Sequence, residues 1–425
     1  MRVVLIHHAA PPVVGGVERV LGQHARLMAD AGHTVTIVAG RGTKAETGVG
    51  FLHMPLVDTQ HPSVTELGVA LAAGRVPPSF GRIRDRLVAD LRAVVEWADV
   101  VIAHNVGSLN KNLALTAALH QLSQAESAPA FALWHHDLAW TLPHYRASLH
   151  DGPPWDLLRT AWPGVTQVAI SQVRRRQLAS LTGLAEDAIT VVPNGIDVAA
   201  MLRLDRRTRT ILRRTRLLDT EPLLLMPARI LPRKNIELGL RVVAALRAMG
   251  HRAGLVVTGP GDPHDPDALA YRSSLLELRD ALEIGDAVWF LGADHEEGLP
   301  DEVVADLYAL ADVLFLPSRE EGFGIPVLEA LLRRTPIVCS ELPALREVAG
   351  DAATYIDPDA PPEAVAQRIV DRVTDDAPAR RSMRIRRDSS WEEVGRRHVL
   401  PLLRRIEEGT AGDDHPPVAT PGRST

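Results

Sequence analysis

The chain has one cysteine, Cys339, in 425 residues. A single thiol cannot close an internal disulfide, so packing must hold the fold, and a reducing, cytoplasmic setting suits it. No run of eighteen or more apolar residues occurs, which excludes a membrane-spanning helix. The opening Met1-Arg2-Val3-Val4-Leu5-Ile6-His7-His8 is too short and too soon interrupted for a signal peptide; it reads as a buried first strand. Lysine is scarce: Lys44, Lys111 and Lys234 are the only ones, and arginine supplies the remaining positive charge. A net charge of -6 speaks against a general nucleic-acid binder. No G-x-G-x-x-G follows the first strand, so a nicotinamide or flavin dehydrogenase is disfavoured.

What is present suffices for two ordinary cores, with 46% apolar and 24% charged residues in a normal globular balance. A strand over Val3 to His7, a Pro/Gly loop, a helix over Val17 to Ala31 and a strand over Thr34 to Val38 spell a βαβ unit. Its crossover implies a parallel, doubly wound sheet. Further apolar runs at Val100 to Ala103, Ala130 to Trp134, Gln167 to Ile170 and Thr190 to Val192 extend it, with helices at Ile83 to Trp97 and Asn112 to Leu122. After Asn194-Gly195-Ile196-Asp197 the alternation restarts. It predicts strands at Leu223 to Met226, Gly254 to Thr258, Ala287 to Leu291, Val313 to Leu316, Ile337 to Cys339 and Thr354 to Ile356. The fold class is therefore α/β with two Rossmann-like domains. The boundaries are 1–192 for the first, 193–388 for the second, 389–409 for a last amphipathic helix and 410–425 for a disordered tail. The arginine-rich segment Met201 to Leu218 reads as an exposed connection or helix.

Two carboxylates, Glu321 and Glu329, stand eight positions apart across a glycine turn, followed by a proline suited to a helix start. Free backbone amides at Gly324 and Ile325 make a place for phosphate or sugar oxygens. The same pattern also fits an acidic loop capping a helix. Arg229 and Lys234, five apart across a proline turn, can clamp a diphosphate, Arg as a fork and Lys as a point charge. Gly15-Gly16 lies at the first strand-to-helix turn, and Trp134-His135-His136-Asp137 ends a strand, where open sheets bind ligands. Adjacent histidines on a strand point to opposite faces, which argues against one shared metal ion.

The full string Glu321-Gly322-Phe323-Gly324-Ile325-Pro326-Val327-Leu328-Glu329-Ala330 resembles the E-x7-E motif of the retaining glycosyltransferases of family 4, which have the GT-B fold. Arg229 to Lys234 resembles that family's G-R-x-x-x-x-K segment, with Ala228 in place of glycine. Pro12, Gly15, Gly16, Glu18 and Arg19 fit its P-x-x-G-G-x-E-R loop, and Val192 to Asp197 its V-x-N-G-I/V-D junction. The resemblance implies two domains facing each other across a cleft. It also implies retaining transfer of a hexosyl group from a UDP- or GDP-linked sugar to a hydroxyl acceptor. Retention there is attributed to a same-face substitution in which the departing phosphate oxygen helps deprotonate the acceptor.

On that resemblance His136, Arg229, Lys234 and Glu321 are catalytic. Gly15, Gly16, Arg229, Lys234, Gly259, Phe323, Gly324, Ile325 and Glu329 bind the donor. Glu18, Asn105, His135 and Asp137 lie on the acceptor side. The nucleoside diphosphate sugar is a co-substrate, and no cofactor or metal is expected. Asp265-Pro266-Asp267 and Asp357-Pro358-Asp359 spell D-x-D but sit in proline-rich loops. The stretch His104 to Asn112 with His135-His136-Asp137 looks somewhat like enzymes that glycosylate small polar acceptors such as glucosylglycerate. An epimerase or hydrolase on the same scaffold is the alternative. A lipid acceptor at the membrane surface is another, invited by Arg82, Arg84, Arg86, Arg92 and Arg174 to Arg176, although such runs are usually solvated faces.

Overall fold

The computed structural model describes residues 1–43, 48–260, 266–293 and 298–409. The tail expected to be disordered, from 410, lies outside the described residues. Two compact units emerge, one from Met1–Gly195 with the chain from Trp391 onward, the other from Ile196–Ser390.

In the first unit seven parallel strands are ordered β3-β2-β1-β4-β5-β6-β7. They are β1 (Arg2–Ile6), β2 (Thr34–Ala39), β3 (Val49–His53), β4 (Val100–His104), β5 (Ala130–His135), β6 (Val165–Ala169) and β7 (Ile189–Val191). A strand buried on both faces reads as a continuous apolar run rather than an alternating one. Accordingly Val4 and Ile6 of β1 enter one core, while Val3 and Leu5 enter another. The order reverses direction between β1 and β4, and such a switch point opens a crevice at the strands' carboxyl ends. β3 was not anticipated; its Val-Gly-Phe-Leu-His sequence is that of a half-exposed edge strand.

The chain end from Trp391 packs on the same face of this sheet as the helix Gly16–Asp30, burying Trp391, Val394, Val399, Leu402, Leu403 and Ile406. At ~1.5–3 kcal/mol for each large apolar side chain removed from water, this segment contributes substantially to the first unit. Expected as one helix, it is interrupted by a π-helical turn at Gly395–Val399. Pro401 has no N–H to donate, and its ring crowds the carbonyl four residues back, so the turn widens there.

The second unit carries six parallel strands in the order β10-β9-β8-β11-β12-β13. These are β8 (Leu223–Met226), β9 (Gly254–Val257), β10 (Val288–Phe290), β11 (Val313–Leu316), β12 (Ile337–Ser340) and β13 (Ala353–Ile356). Leu224 and Met226 enter one core, Leu223 and Leu225 the other. The arginine-rich segment forms the helix Arg206–Thr215, capped by Asp205 accepting from the Arg207 amide at 2.8 Å. Thr208 Oγ1 donates from that helix to Asp306 Oδ2 at 2.6 Å, fixing its one buried face.

Candidate active site

In the second unit, β8 and β11 are adjacent and their carboxyl ends carry the two loops singled out from sequence. After β8 the chain closes a 3-10 turn at Pro232–Lys234. Asn235 follows at φ 53°, a left-handed conformation that Asn tolerates better than most residues. Its Nδ2 donates to the carbonyls of Pro317 (3.1 Å) and Pro358 (2.9 Å), tying this loop to those after β11 and β13. After β11 the loop ends at Gly324 with φ 97°, where an added Cβ would meet Leu345 Cδ2 at 2.6 Å, so glycine is required. The helix Ile325–Arg333 then starts with no side-chain cap.

Lys234 Nζ donates to Glu321 Oε1 at 2.5 Å, and Ser318 Oγ donates to the same oxygen at 2.8 Å. Both ends of the ion pair are nearly buried, with side-chain exposures of 12% for Lys234 and 9% for Glu321. In that setting the attraction is weakly screened and the geometry is fixed. Lys234 keeps two N–H donors, but its charge is already balanced. The clamp is therefore not two equivalent free cations. Arg229 is exposed and makes no side-chain hydrogen bond or ion pair among the described residues. Glu329 Oε2 accepts from Tyr308 Oη at 2.6 Å, leaving Oε1 without a hydrogen bond among the described residues. Burial, then the bond to Glu329, pushes the Tyr308 phenol up, so it remains a donor at any physiological pH. Phe323 and Ile325 are more than half exposed beside these carboxylates. Ser318 and Tyr308 were not anticipated; Ser318 stands three residues before Glu321, a local spacing that could have found it, whereas Tyr308 is 21 residues from Glu329.

In the first unit one cavity of about 480 Å³ is lined by His7, His8, Gly15, Gly16, Glu18, Arg41, Gln60, Asn105, Lys111 and Asp137, among others. Five strand ends supply it, on both sides of the switch point. Asn105, at φ 57°, accepts the His136 amide (2.7 Å) and the Asp137 amide (3.1 Å) on its Oδ1. It thereby fixes the chain where it leaves β5. Arg174 holds the same chain from outside, donating through Nε to the His136 carbonyl (3.1 Å) and through Nη2 to Asp137 Oδ1 (3.2 Å). His136 Nε2 meets His104 Nδ1 at 3.1 Å. His7 Nδ1 donates to the His104 carbonyl at 2.7 Å, and His7 Nε2 lies 3.9 Å from Glu18. His24, with both ring nitrogens buried and unpartnered, packs between His104, Trp134 and Trp391. Burial lowers all of these imidazoles, His136 and His24 to about 3. His136 is thus a neutral hydrogen-bonding group at neutral pH, not a base poised near 7.

Several expected roles meet a different geometry. Neither His135 nor His136 is on the cavity wall; both are buried, and His135 spends its Nε2 on Gln167 Oε1 at 2.8 Å, its titration lowered by burial to about 4. Gly259 packs backbone on backbone: an added Cβ would lie 2.2 Å from the Ala228 carbonyl oxygen, so its smallness serves the β8 loop. Asp197 caps the helix Val198–Met201 through the Ala200 amide at 2.8 Å. Asp359 of the second D-x-D takes Arg319 at 2.5 Å, and its amide closes a turn on Asp357. Asp265 of the first lies outside the described residues. Among the described residues no group of three His, Cys, Asp or Glu is placed to hold a metal ion. No helix there is long and apolar enough to cross a membrane. Three of the four arginines of the run on the helix Ser79–Trp97 are internally paired, Arg84 with Asp85 (2.7 Å), Arg86 with Asp90 (2.9 Å) and Arg92 with Glu96 (3.9 Å).

Residues 14–200 match the family described as Glycosyltransferase Family 4, and residues 208–388 the family described as Glycosyl transferases group 1. The chain is 26% identical over 390 residues to the GDP-mannose-dependent alpha-(1-6)-phosphatidylinositol monomannoside mannosyltransferase of Mycobacterium tuberculosis, covering 88% of this chain and 87% of that one. It is 27% identical over 274 residues to the mannosylglucosylglycerate synthase of Petrotoga mobilis, covering 59% of this chain and 61% of the synthase. A third similarity, 30% identical over 187 residues, is to the D-inositol 3-phosphate glycosyltransferase of Nocardia farcinica, covering 44% of this chain and 40% of that one. Among solved structures, sucrose-phosphate synthase from Thermosynechococcus elongatus aligns over 96% of this chain and 99% of its own, at 18% identity and a TM-score of 0.38.

Proposed function

The chain belongs to glycosyltransferase family 4, with the two Rossmann-like units of the GT-B fold, and we propose that it transfers a hexosyl group from a UDP- or GDP-linked sugar to a hydroxyl of a small polar or glycan acceptor, with retention. The observation that carries this reading is the nearly buried Lys234–Glu321 pair at 2.5 Å, with exposed Arg229 on the same loop and Glu329 one helix turn further on. Arg229 and the two remaining Lys234 donors offset the charge that grows on the nucleoside diphosphate as its bond to the sugar breaks. Glu321 orients that lysine and accepts from a sugar hydroxyl through its second oxygen. Glu329, steadied by Tyr308, accepts from the ribose. In the same step the acceptor oxygen bonds to the anomeric carbon, and its proton passes to the departing phosphate oxygen. His136, neutral, hydrogen-bonds the transferred sugar without taking that proton. No metal ion takes part in this scheme.

Relatives differ in acceptor by name, from phosphatidylinositol monomannoside to D-inositol 3-phosphate, so the acceptor must be sought directly. The test is release of free nucleoside diphosphate from UDP- and GDP-linked glucose and mannose, with and without an acceptor extract. Acceptor-dependent release is expected, with the product anomer matching the donor by NMR. Release that ignores the acceptor would make the protein a hydrolase, and conversion of the donor sugar without release would make it an epimerase.

A further inference from the structure

The charges around the first unit's cavity are unevenly paired. Asp137 is engaged by Arg174 at 3.2 Å, while Glu18 faces His7 at 3.9 Å, an imidazole that burial keeps neutral, so the Glu18 charge is not offset by it. Arg41 spends its Nε on Asp58 at 2.9 Å, while its two terminal nitrogens make no hydrogen bond among the described residues. Asp58 is itself buried and also accepts the Gln60 amide at 2.9 Å, so the guanidinium is fixed in place. Lys111, at the exposed rim, has neither a hydrogen bond nor an ion pair among the described residues, yet it lines the same cavity. Its charge reaches inward far enough to act on His7 and His8, which burial already keeps neutral. The cavity therefore offers an ammonium with no direct partner among the described residues, and the outer fork of a guanidinium, to whatever enters. Neutral groups surround them: two imidazoles, Gln60 and the Asn105 amide.

We propose that the acceptor bound in this cavity is anionic, a hydroxylated molecule whose phosphate or carboxylate is held by Lys111 and Arg41. The two carboxylates of the wall, Glu18 and Asp137, would repel an anion and suit its hydroxyl groups. The negative group therefore goes to the cations, leaving a hydroxyl to receive the sugar. A fork and a point charge together fit either oxyanion, the fork bidentately. This inference rests on the transferase reading for the word acceptor, but the anion site itself can be measured without catalysis.

The experiment is calorimetric titration of the full chain with inorganic phosphate, glucose 6-phosphate, glucuronate and glucose, repeated on Lys111→Gln and Lys111→Arg. The two anionic sugars are expected to bind roughly 10- to 100-fold more tightly than glucose, the range of one charged hydrogen bond. Lys111→Gln should erase most of that preference and Lys111→Arg should keep most of it. Phosphate should compete, and comparing the two sugars tells phosphate from carboxylate. Failure of all three anions to bind at millimolar concentration overturns the proposal, as does a preference that Lys111→Gln leaves intact. Lys111-dependent anion binding with no acceptor-dependent release of nucleoside diphosphate would instead sink the transferase reading and leave the site standing. Full-rate glycosylation of a neutral acceptor by Lys111→Gln would do the reverse.

Discussion

Mild acid should loosen the first unit long before the second. His24, His135 and His136 are buried there and titrate, by burial, at about 3, 4 and 3. In the unfolded chain each returns to about 6.5. Because the folded values are depressed, the unfolded state takes up protons first as pH falls. Stability is therefore full above about 6.5 and declines through the window down to the folded values. At pH 5.5 each group costs ~1.4 kcal/mol relative to high pH, so the three together cost ~4 kcal/mol. That is a large part of the ~5–15 kcal/mol that holds a typical domain. The second unit has no buried histidine among its described residues, and its buried Asp312 is pushed up by burial, so acid does not penalise it in this range. The assay reads the first unit almost alone, since six of the seven tryptophans belong to it and only Trp289 to the second. Urea unfolding followed by tryptophan fluorescence at pH 7.5 and 5.5 should show a clear drop in midpoint. His24→Phe, which replaces an imidazole with no hydrogen bond by an apolar ring, should recover about a third of the loss. An unchanged midpoint between the two pH values would refute the reasoning.

Lys234→Met leaves Glu321 as a nearly buried carboxylate supported by Ser318 alone, so it should destabilise the second unit by ~3–5 kcal/mol, and adding Glu321→Gln should restore part of it. Thermal unfolding of the two variants checks this, and equal loss in both would remove the pair from the argument. Glu321→Ala should mostly lower turnover, whereas Glu329→Ala should mostly raise the apparent donor constant, by ~1–3 kcal/mol for a lost charged hydrogen bond. Tyr308→Phe should reproduce the Glu329→Ala effect in direction and fall short of it in size, because the carboxylate stays and only its orientation is freed. Wild-type donor kinetics in all three variants would show that the carboxylates do not touch the donor. Activity should survive a chelator; loss that manganese or magnesium restores would mean that a metal carries the diphosphate.

The fold was legible because both sheets are parallel and buried on both faces, so their strands are short apolar runs set between helices and glycines. Where a strand is half exposed, as at Val49–His53, that signal fades and the element was missed. The site was legible to the extent that its chemistry is local. Gly324 and Pro326 mark a turn and a helix start within a few residues, and Glu329 lies a turn beyond. What was not legible is which side chain each group would meet across the sheet. Lys234 finds Glu321, and Glu329 finds Tyr308, through adjacent strand ends that no spacing in the chain predicts. The same limit applies to the two neighbouring histidines. On an extended strand their side chains must diverge, so one can serve a pocket while the other enters the core. Only the family resemblance, through His136-Asp137, distinguished the two. Gln167 on the next strand takes His135, and His104 takes His136. The partner across the sheet, rather than the motif along the chain, therefore sets what holds each histidine.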